Sequence, residues 1–253
     1  MERIHIVAAT NDSYAKHLAV MLTSLFENKK SKNPVTIHVI DGELSDDKKR
    51  RLTNSVKRFQ AEIRFLKVDK SLYEAVKVRY HLSKETYYRI SIPALLGQHI
   101  NKAVYLDCDL IVKEDIANLW NISVHDFELG AVQIPGHVDR YKELSIPEHM
   151  GYFNAGVLLL NLRKWRANHT SDKVLRYIRD NQKKLKYMDQ DALNAVLKGK
   201  WKKLDRRWNY QVHRHRHQNF KPAIIHYTAT VKPWSGNPRF KEEYVHYLRK
   251  TIW

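Results

Sequence analysis

Residues 102–112 read Lys102-Ala103-Val104-Tyr105-Leu106-Asp107-Cys108-Asp109-Leu110-Ile111-Val112. The run is apolar and rich in β-branched residues, the pattern of a buried strand, with two carboxylates set in its middle. Charged groups are buried almost only when paired or bound to a metal. Side chains two apart in an extended segment point the same way, so Asp107 and Asp109 converge on one point. Cys108 then turns to the opposite side as a small core residue. At the carboxyl end of a strand, opening into a crevice, an Asp-x-Asp pair can hold a hard divalent cation against a diphosphate. The alternative is that the aspartates cap a turn or pair with lysines. The apolar flanks, 103–106 and 110–112, make that alternative costly and favour a metal. Without the ion the two like charges should repel, so removing one should raise the melting temperature of the metal-free protein.

On either side of this stretch the segments alternate in type. His5-Ile6-Val7-Ala8-Ala9 reads as a first buried strand and runs into Thr10-Asn11-Asp12-Ser13, a cluster of N-cap formers. Leu18, Met21, Leu22 and Leu25 recur at helical spacing and predict a helix over about residues 14–28. Pro34 precedes a strand over 35–40, Ser45 starts a charged helix carrying Leu52, Val56 and Phe59, and 63–68 is a third strand. Downstream, a helix over 87–96 leads to the Asp-x-Asp stretch, 115–120 forms a short amphipathic turn and 129–133 a strand. Residues 135–147 are polar and irregular, an active-site loop. Strands alternating with helices predict an α/β fold with a mostly parallel sheet and ligands at the strand carboxyl ends. There is no Gly-x-Gly-x-x-Gly and no Walker loop, so a bound nucleotide would not be held by a glycine cradle.

Three further segments carry candidate chemistry. Residues 152–162 form a second buried run headed by Asn154-Ala155-Gly156, where small residues beside an amide let a ligand approach the backbone. The plainer reading is a turn entering a core strand. Met188-Asp189-Gln190-Asp191 opens a helix, with Asp189 as N-cap and Asp191 as a charge favoured by the helix dipole. Residues 223–227 end an apolar run on His226, either a hydrogen-bonded core histidine or the further donor that the carboxylate pair lacks.

Composition narrows the class without choosing a function. The chain has 253 residues, 43% hydrophobic, enough for one α/β domain or two small ones. No apolar run approaches the roughly 20 residues that span a bilayer. The first apolar stretch is of strand length and is followed by Asn11-Asp12, unlike a secretory signal. A single cysteine, Cys108, excludes an intrachain disulfide and suits a reducing cytoplasm. Lys and Arg outnumber Asp and Glu by 45 to 27, a net charge of +18. That excess attracts something anionic: nucleic acid, a lipid headgroup surface or an anionic substrate.

Tyr105-Leu106-Asp107-Cys108-Asp109, Phe153-Asn154-Ala155-Gly156-Val157, Met188-Asp189-Gln190-Asp191 and His226-Tyr227 followed by Lys232-Pro233-Trp234 occur in the order seen in glycosyltransferase family 8. That family includes glycogenin and the bacterial lipopolysaccharide galactosyl- and glucosyltransferases. The resemblance covers about residues 4–234. It implies a GT-A fold with a Rossmann-like, mostly parallel central sheet flanked by helices. The implied organisation is a GT-A domain over 1–234 with a basic, aromatic carboxyl-terminal helical tail, 235–253, packed on or beside it. The implied activity is retaining hexosyl transfer, of galactose or glucose, from a UDP-sugar donor to a glycan or lipid-linked acceptor in cell-envelope polysaccharide synthesis. The implied ion is Mn2+, or Mg2+ in its place. By the same resemblance Asp107, Asp109 and His226 would ligate the metal and Lys232 would touch the diphosphate. Arg89, Asn154, Ala155 and Gly156 would face the donor sugar, with Asp189 and Gln190 nearest the anomeric carbon. Ala9, Asn11 and Ser13 fall where uracil and ribose are met, and Cys108 counts with the donor-binding segment. The chain departs from the usual family pattern at Asn11 (Asp), Ser13 (Asn), Ile134 (often a sugar-binding acid) and Ala229 (often Gly).

Two competing readings come from other features. Arg206-Arg207-Trp208-Asn209-Tyr210, with Arg214 and Arg216 nearby, interleaves aromatic and basic residues as single-stranded nucleic-acid binders do. No helix-turn-helix, zinc or RNP signature accompanies it, and the aspartate pair goes unexplained. A UDP-sugar-binding relic without transfer activity is the second, opposed by the complete metal set. The basic carboxyl-terminal region, from Trp201-Lys202-Lys203 through His213-Arg214-His215-Arg216-His217 to the final Trp253, also suits the anionic inner leaflet. Its equal alternative is an ordinary basic surface with Trp201 and Trp208 in the core.

Overall fold

The computed structural model describes all residues except 75, 77–82, 137 and 215–219, so His215, Arg216 and His217 lie outside the described residues. In chain order the elements are β1 (Ile4–Thr10), α1 (Ala15–Glu27), β2 (Val35–Asp41), α2 (Asp46–Lys57), β3 (Glu62–Leu66), α3 (Ile92–Leu95), β4 (Lys102–Leu106), β5 (Leu110–Val112), α4 (Ile116–Trp120), β6 (Leu129–Gln133), α5 (Val138–Glu143), β7 (Phe153–Asn161), α6 (Leu162–Ala167), α7 (Thr170–Asn181), α8 (Met188–Val196), β8 (Trp201–Lys203), β9 (Tyr210–Gln211), β10 (Ile224–His226) and α9 (Lys241–Lys250). The larger sheet has the strand order β3-β2-β1-β4-β7-β6-β8 and the smaller one β5-β10-β9. The fold class is the expected α/β.

The chain divides into two units. The first comprises Met1–Leu66, Leu106–Ile122 and Asp205–Trp253, the second Lys67–Tyr105 and Ser123–Leu204. In the first, β1, β2 and β3 run parallel in register, Ala8 facing Val39 and Val39 facing Phe65. The inner strands are buried along nearly their whole length because both faces are covered, while Glu62 and Arg64 leave β3 as a charged edge. Ser45 caps α2 as expected, its hydroxyl accepting from the Lys48 amide. Helix α9 belongs to this unit: Tyr244 and Tyr247 are buried with Val20, Ile111, Val212, Ile225 and Tyr227. No described helix is long and apolar enough to cross a membrane.

The second unit pairs β6 antiparallel with β7 and parallel with β8. Two local expectations fail here. Residues 84–91 form a 3-10 helix rather than the start of one α-helix, and only Ile92–Leu95, entered through Pro93, is α-helical. A proline lacks the amide that a longer helix would need at that point. The polar stretch 135–147 is not irregular throughout: it contains α5, pinned by the buried Arg140.

His5 of β1 and His38 of β2 form a histidine pair in the first unit. His5 Nδ1 and His38 Nε2 are 3.0 Å apart on adjacent strands, and His38 is buried. Burial, then the neighbouring His5 and Arg64, push the His38 ring down from 6.5 to about 4, against a weaker pull from Glu62. The native state therefore refuses a proton that the unfolded chain takes up below its ordinary value. Stability should be full above pH 6.5 and fall as pH drops towards 4. Melting curves across that window should show the loss, and His38→Asn should flatten its slope. An unchanged slope in the variant would remove His38 as the cause.

Candidate active site

The stretch 102–112 is two strands, not one. β4 stops at Leu106, residues 107–109 bend, and β5 joins the smaller sheet antiparallel to β10. The carboxylates still converge, because the bend is stitched from both sides. His226 stands opposite Leu110, and the Tyr227 amide donates to the Asp109 carbonyl at 3.0 Å. His226 Nε2 thereby comes to 3.3 Å from Asp109 Oδ1 and 3.8 Å from Asp107 Oδ2. One ligand atom from each of the three residues lies within 4.8 Å of the others. Two carboxylate oxygens and an imidazole nitrogen suit Mn2+ or Mg2+ better than a soft metal.

Lys232 completes the cluster. Its ammonium donates to Asp109 Oδ2 at 2.5 Å and to the Tyr227 carbonyl at 2.7 Å. Burial opposes ionisation of Asp109, but Lys232 and His226 outweigh it and hold the carboxyl well below its usual range. Burial likewise lowers Lys232, and Asp109 more than restores it, so the ammonium sits above its ordinary value. This corrects the expected repulsion: Asp109 is neutralised by a lysine from the motif that the diphosphate would use. Ala229 lies three residues before Lys232 with φ +69, the left-handed region. An alanine there carries backbone strain that a glycine would avoid.

The residues assigned to the nucleotide lie in the same unit. The Ala9 carbonyl accepts from Cys108 Sγ at 3.2 Å, so the thiol is packed into the core as expected. Cys108 can therefore meet a donor only through its backbone, not through the thiol. Asn11 Oδ1 accepts from the Tyr14 amide at 3.2 Å, shaping the turn into α1, and Ser13 is exposed beside it.

The second unit gathers the remaining candidates. The register of β6 against β7 jumps between Ala131–Leu158 and Val132–Asn154, so residues 155–157 bulge from the ladder. The bulge frees the Ala155 amide, which donates to Gln190 Oε1 at 3.1 Å, beside Asn154 Nδ2 at 3.0 Å. Asn154 Oδ1 in turn accepts from the Gly156 amide. Gln190 Nε2 donates to the Tyr152 hydroxyl at 3.0 Å. Met188, with φ +51, holds a strained backbone directly before Asp189. Asp189 is not an N-cap: it forms a buried ion pair with Arg89, Nε to Oδ2 at 2.9 Å, and Arg89 also donates to the Ala155 carbonyl. Asp191 does more than answer the helix dipole. Fully buried, it accepts from Arg140, Tyr152 and the amides of Lys186 and Tyr187.

Arg140, Tyr152 and Asn209 are absent from the sequence-based assignments. A positive charge in the loop 135–147 was the one available signal for Arg140. Asn209, whose Oδ1 meets His226 Nδ1 at 2.8 Å, lies in the segment that resembled a nucleic-acid surface. In that segment Trp208 and Tyr210 are buried, 5% and 0% exposed, and offer no face for base stacking. Trp201 is also a core residue, 8% exposed, so neither it nor Trp208 can reach a lipid interface.

The model of the family described as "Glycosyl transferase family 8" matches residues 5–237. The chain belongs to glycosyltransferase family 8. It is thus an enzyme of glycosyl transfer, as the four motifs imply. General stress protein A of Bacillus subtilis is 35% identical over 272 residues, spanning the whole of this chain and 95% of that protein. Lipopolysaccharide 1,2-glucosyltransferase of Escherichia coli K12 is 27% identical, with 92% of this chain and 73% of that one matched. Galactosyltransferase LgtC, solved with donor and acceptor sugar analogues, superposes with a TM-score of 0.89 at 25% identity, over 99% of this chain and 97% of that one.

Proposed function

We propose that this glycosyltransferase is metal-dependent and retaining, moving glucose or galactose from a UDP-sugar to a hydroxyl of a glycan or lipid-linked acceptor in cell-envelope polysaccharide synthesis. The observation that carries the reading is the gathering of Asp107, Asp109 and His226 within 4.8 Å, with Lys232 on Asp109. Those three residues would hold a Mn2+ or Mg2+ ion, which supplies Lewis-acid stabilisation of the departing diphosphate. Lys232 adds a second positive charge where the leaving group becomes negative. Its contact with Asp109 keeps that ammonium ordered before a donor arrives.

In the second unit the assigned roles follow from what each group already bonds. Both hydrogen bonds that the Gln190 amide oxygen receives hold the side chain still, so we assign Gln190 to positioning the donor sugar rather than to nucleophilic attack, for which an amide is poorly suited. Asp189 is engaged by Arg89. That pairing favours a same-face displacement, in which the departing diphosphate oxygen takes the acceptor's proton and no enzyme-bound sugar forms. A panel of nucleotide sugars with Mn2+, read by thermal shift and hydrolysis, should single out UDP-glucose or UDP-galactose. NMR of fresh product should show an α-linkage from the α-linked donor. A β-linkage would refute retention, and stabilisation only by non-uridine nucleotides would refute the donor.

A further inference from the structure

Asn209 stands at a position that the reaction alone does not explain. It is fully buried, 0% exposed, and its side-chain oxygen lies 2.8 Å from Nδ1 of His226, itself buried at 3%. The chain around it is clamped on every side. Asp205 accepts from the Arg207 amide at 2.9 Å and caps the 3-10 helix Arg206–Asn209. The Arg207 carbonyl accepts from the Ala223 amide at 2.9 Å, just before β10. Directly after Asn209, β9 pairs parallel with β10, Tyr210 against Ile225 and Gln211 against His226. Trp208 and Tyr210 anchor the two flanks in the core, the Tyr210 ring stacked on Phe220 at 5.1 Å. Asn209 therefore cannot drift away from the imidazole.

The chemistry of that contact is selective. A neutral imidazole carries one proton, and the nitrogen without it is the one that can bind a metal. An amide oxygen at Nδ1 accepts a hydrogen bond only from an Nδ1–H. With a proton kept on Nδ1, Nε2 is the nitrogen turned to the carboxylates, 3.3 Å from Asp109 and 3.8 Å from Asp107, and it offers its lone pair once a divalent ion takes the place of its proton. A carboxylate in the same place would also accept, but would add a charge to a cluster already holding two. Hydrogen-bond partners on the far nitrogen of a ligating histidine commonly set ring orientation and metal affinity.

We infer that Asn209 is a positioning residue, fixing the His226 ring in the tautomer and orientation that a divalent-ion ligand needs. The basic, aromatic segment 206–210 is then a buttress for the metal ligand. The inference rests on the reading of Asp107, Asp109 and His226 as an ion site.

The test compares Asn209→Leu, which removes the acceptor and keeps the branched shape, with Asn209→Asp, which keeps the acceptor. Mn2+ affinity is measured by electron paramagnetic resonance without donor, and the 15N shifts of the His226 ring are read with saturating Mg2+. Circular dichroism and melting curves confirm that each variant is folded. Wild type should show the proton on Nδ1. Asn209→Leu should shift proton occupancy towards Nε2 and weaken Mn2+ binding by about 10- to 100-fold. Asn209→Asp should restore both the Nδ1 proton and most of the affinity. An Asn209→Leu protein with unaltered ring shifts and Mn2+ affinity within threefold of wild type overturns the inference. If wild type itself binds no divalent ion, the ion-site reading fails, and the ring shifts of the ion-free protein still decide whether Asn209 keeps a proton on Nδ1. Should Asn209→Leu not fold, the ring shifts of wild type and Asn209→Asp decide: a proton on Nε2 in either rejects the inference.

Discussion

Asp109→Asn is expected to abolish ion-dependent transfer and to lower, not raise, the melting temperature of the metal-free protein. The activity loss should reach at least about 10³-fold, near 4 kcal/mol, because a Lewis acid at a departing diphosphate is worth several kcal/mol. The stability loss has a different origin. Asp109 and Lys232 are both largely buried, with side chains 13% and 9% exposed, and 2.5 Å apart. Asparagine keeps an oxygen for the ammonium but withdraws the charge that balances it. Weakening one partner of a buried pair costs on the order of 2 kcal/mol. Asp107→Asn is the control. It should cost the same activity, yet its side chain is 25% exposed and its charge lies beside that of Asp109. Relief of repulsion should leave the metal-free melting temperature unchanged or higher. Differential scanning in excess chelator separates the two. If Asp109→Asn melts above wild type, Lys232 is not the counter-ion described above.

The pairing of Asp109 with Lys232 shows where a sequence stops being informative. The β-branched run around Asp107 and Asp109 was legible because buried charge in an apolar stretch is costly without a partner. Its division into β4 and β5 was not, since both halves are equally apolar and the break depends on pairing with β10, more than a hundred residues later. Strands β1, β2, β6 and β7 were legible from their apolar runs, α1 from its helical period and α2 from its Ser45 cap; the N-cap formers at 10–13 do not cap α1, whose N-cap is Tyr14 with no side-chain bond. Residues 87–96 were not, because a 3-10 turn and an α-helix share the same short apolar pattern. Candidate ligands could be read one by one, but their partners could not. The sequence carries no sign that Lys232 meets Asp109 or that Arg89 meets Asp189. Segment 206–210 shows the same limit: rings between basic residues look alike whether they face water or the core. Asn209 could be recognised only once β9 was seen beside His226.

Arg140→Leu should cost the second unit a large part of its stability. Arg140 and Asp191 are 2% and 0% exposed, and the guanidinium forks onto the carboxylate, Nε to Oδ1 at 3.1 Å and Nη2 to Oδ2 at 2.6 Å. Deleting one member of such a pair strands the other's charge, which typically costs 3–5 kcal/mol. Here the remaining donors soften the blow: the Tyr152 hydroxyl at 2.6 Å and the amides of Lys186 and Tyr187 at 2.7 Å still meet Asp191. The lower end, about 3 kcal/mol, is expected, a fall in melting temperature of roughly 6–12 °C for a chain of this size. Glu143→Gln, which touches the same arginine from a 39% exposed side chain, should change stability by less than about 1 kcal/mol. The loss should also be felt in catalysis. Asp191 orients the Tyr152 hydroxyl, and that hydroxyl receives Gln190 Nε2 at 3.0 Å, so a slackened Asp191 frees the amide assigned to the donor sugar. Tyr152→Phe cuts that link directly, lowering kcat by about tenfold, near 1.4 kcal/mol, and costing about 2 kcal/mol of stability because Asp191 loses a donor and Gln190 an acceptor. An Arg140→Leu protein melting within 2 °C of wild type would show that the buried fork contributes no net stability. A Tyr152→Phe enzyme with wild-type kcat would show that Gln190 is held by Asn154 and Ala155 alone.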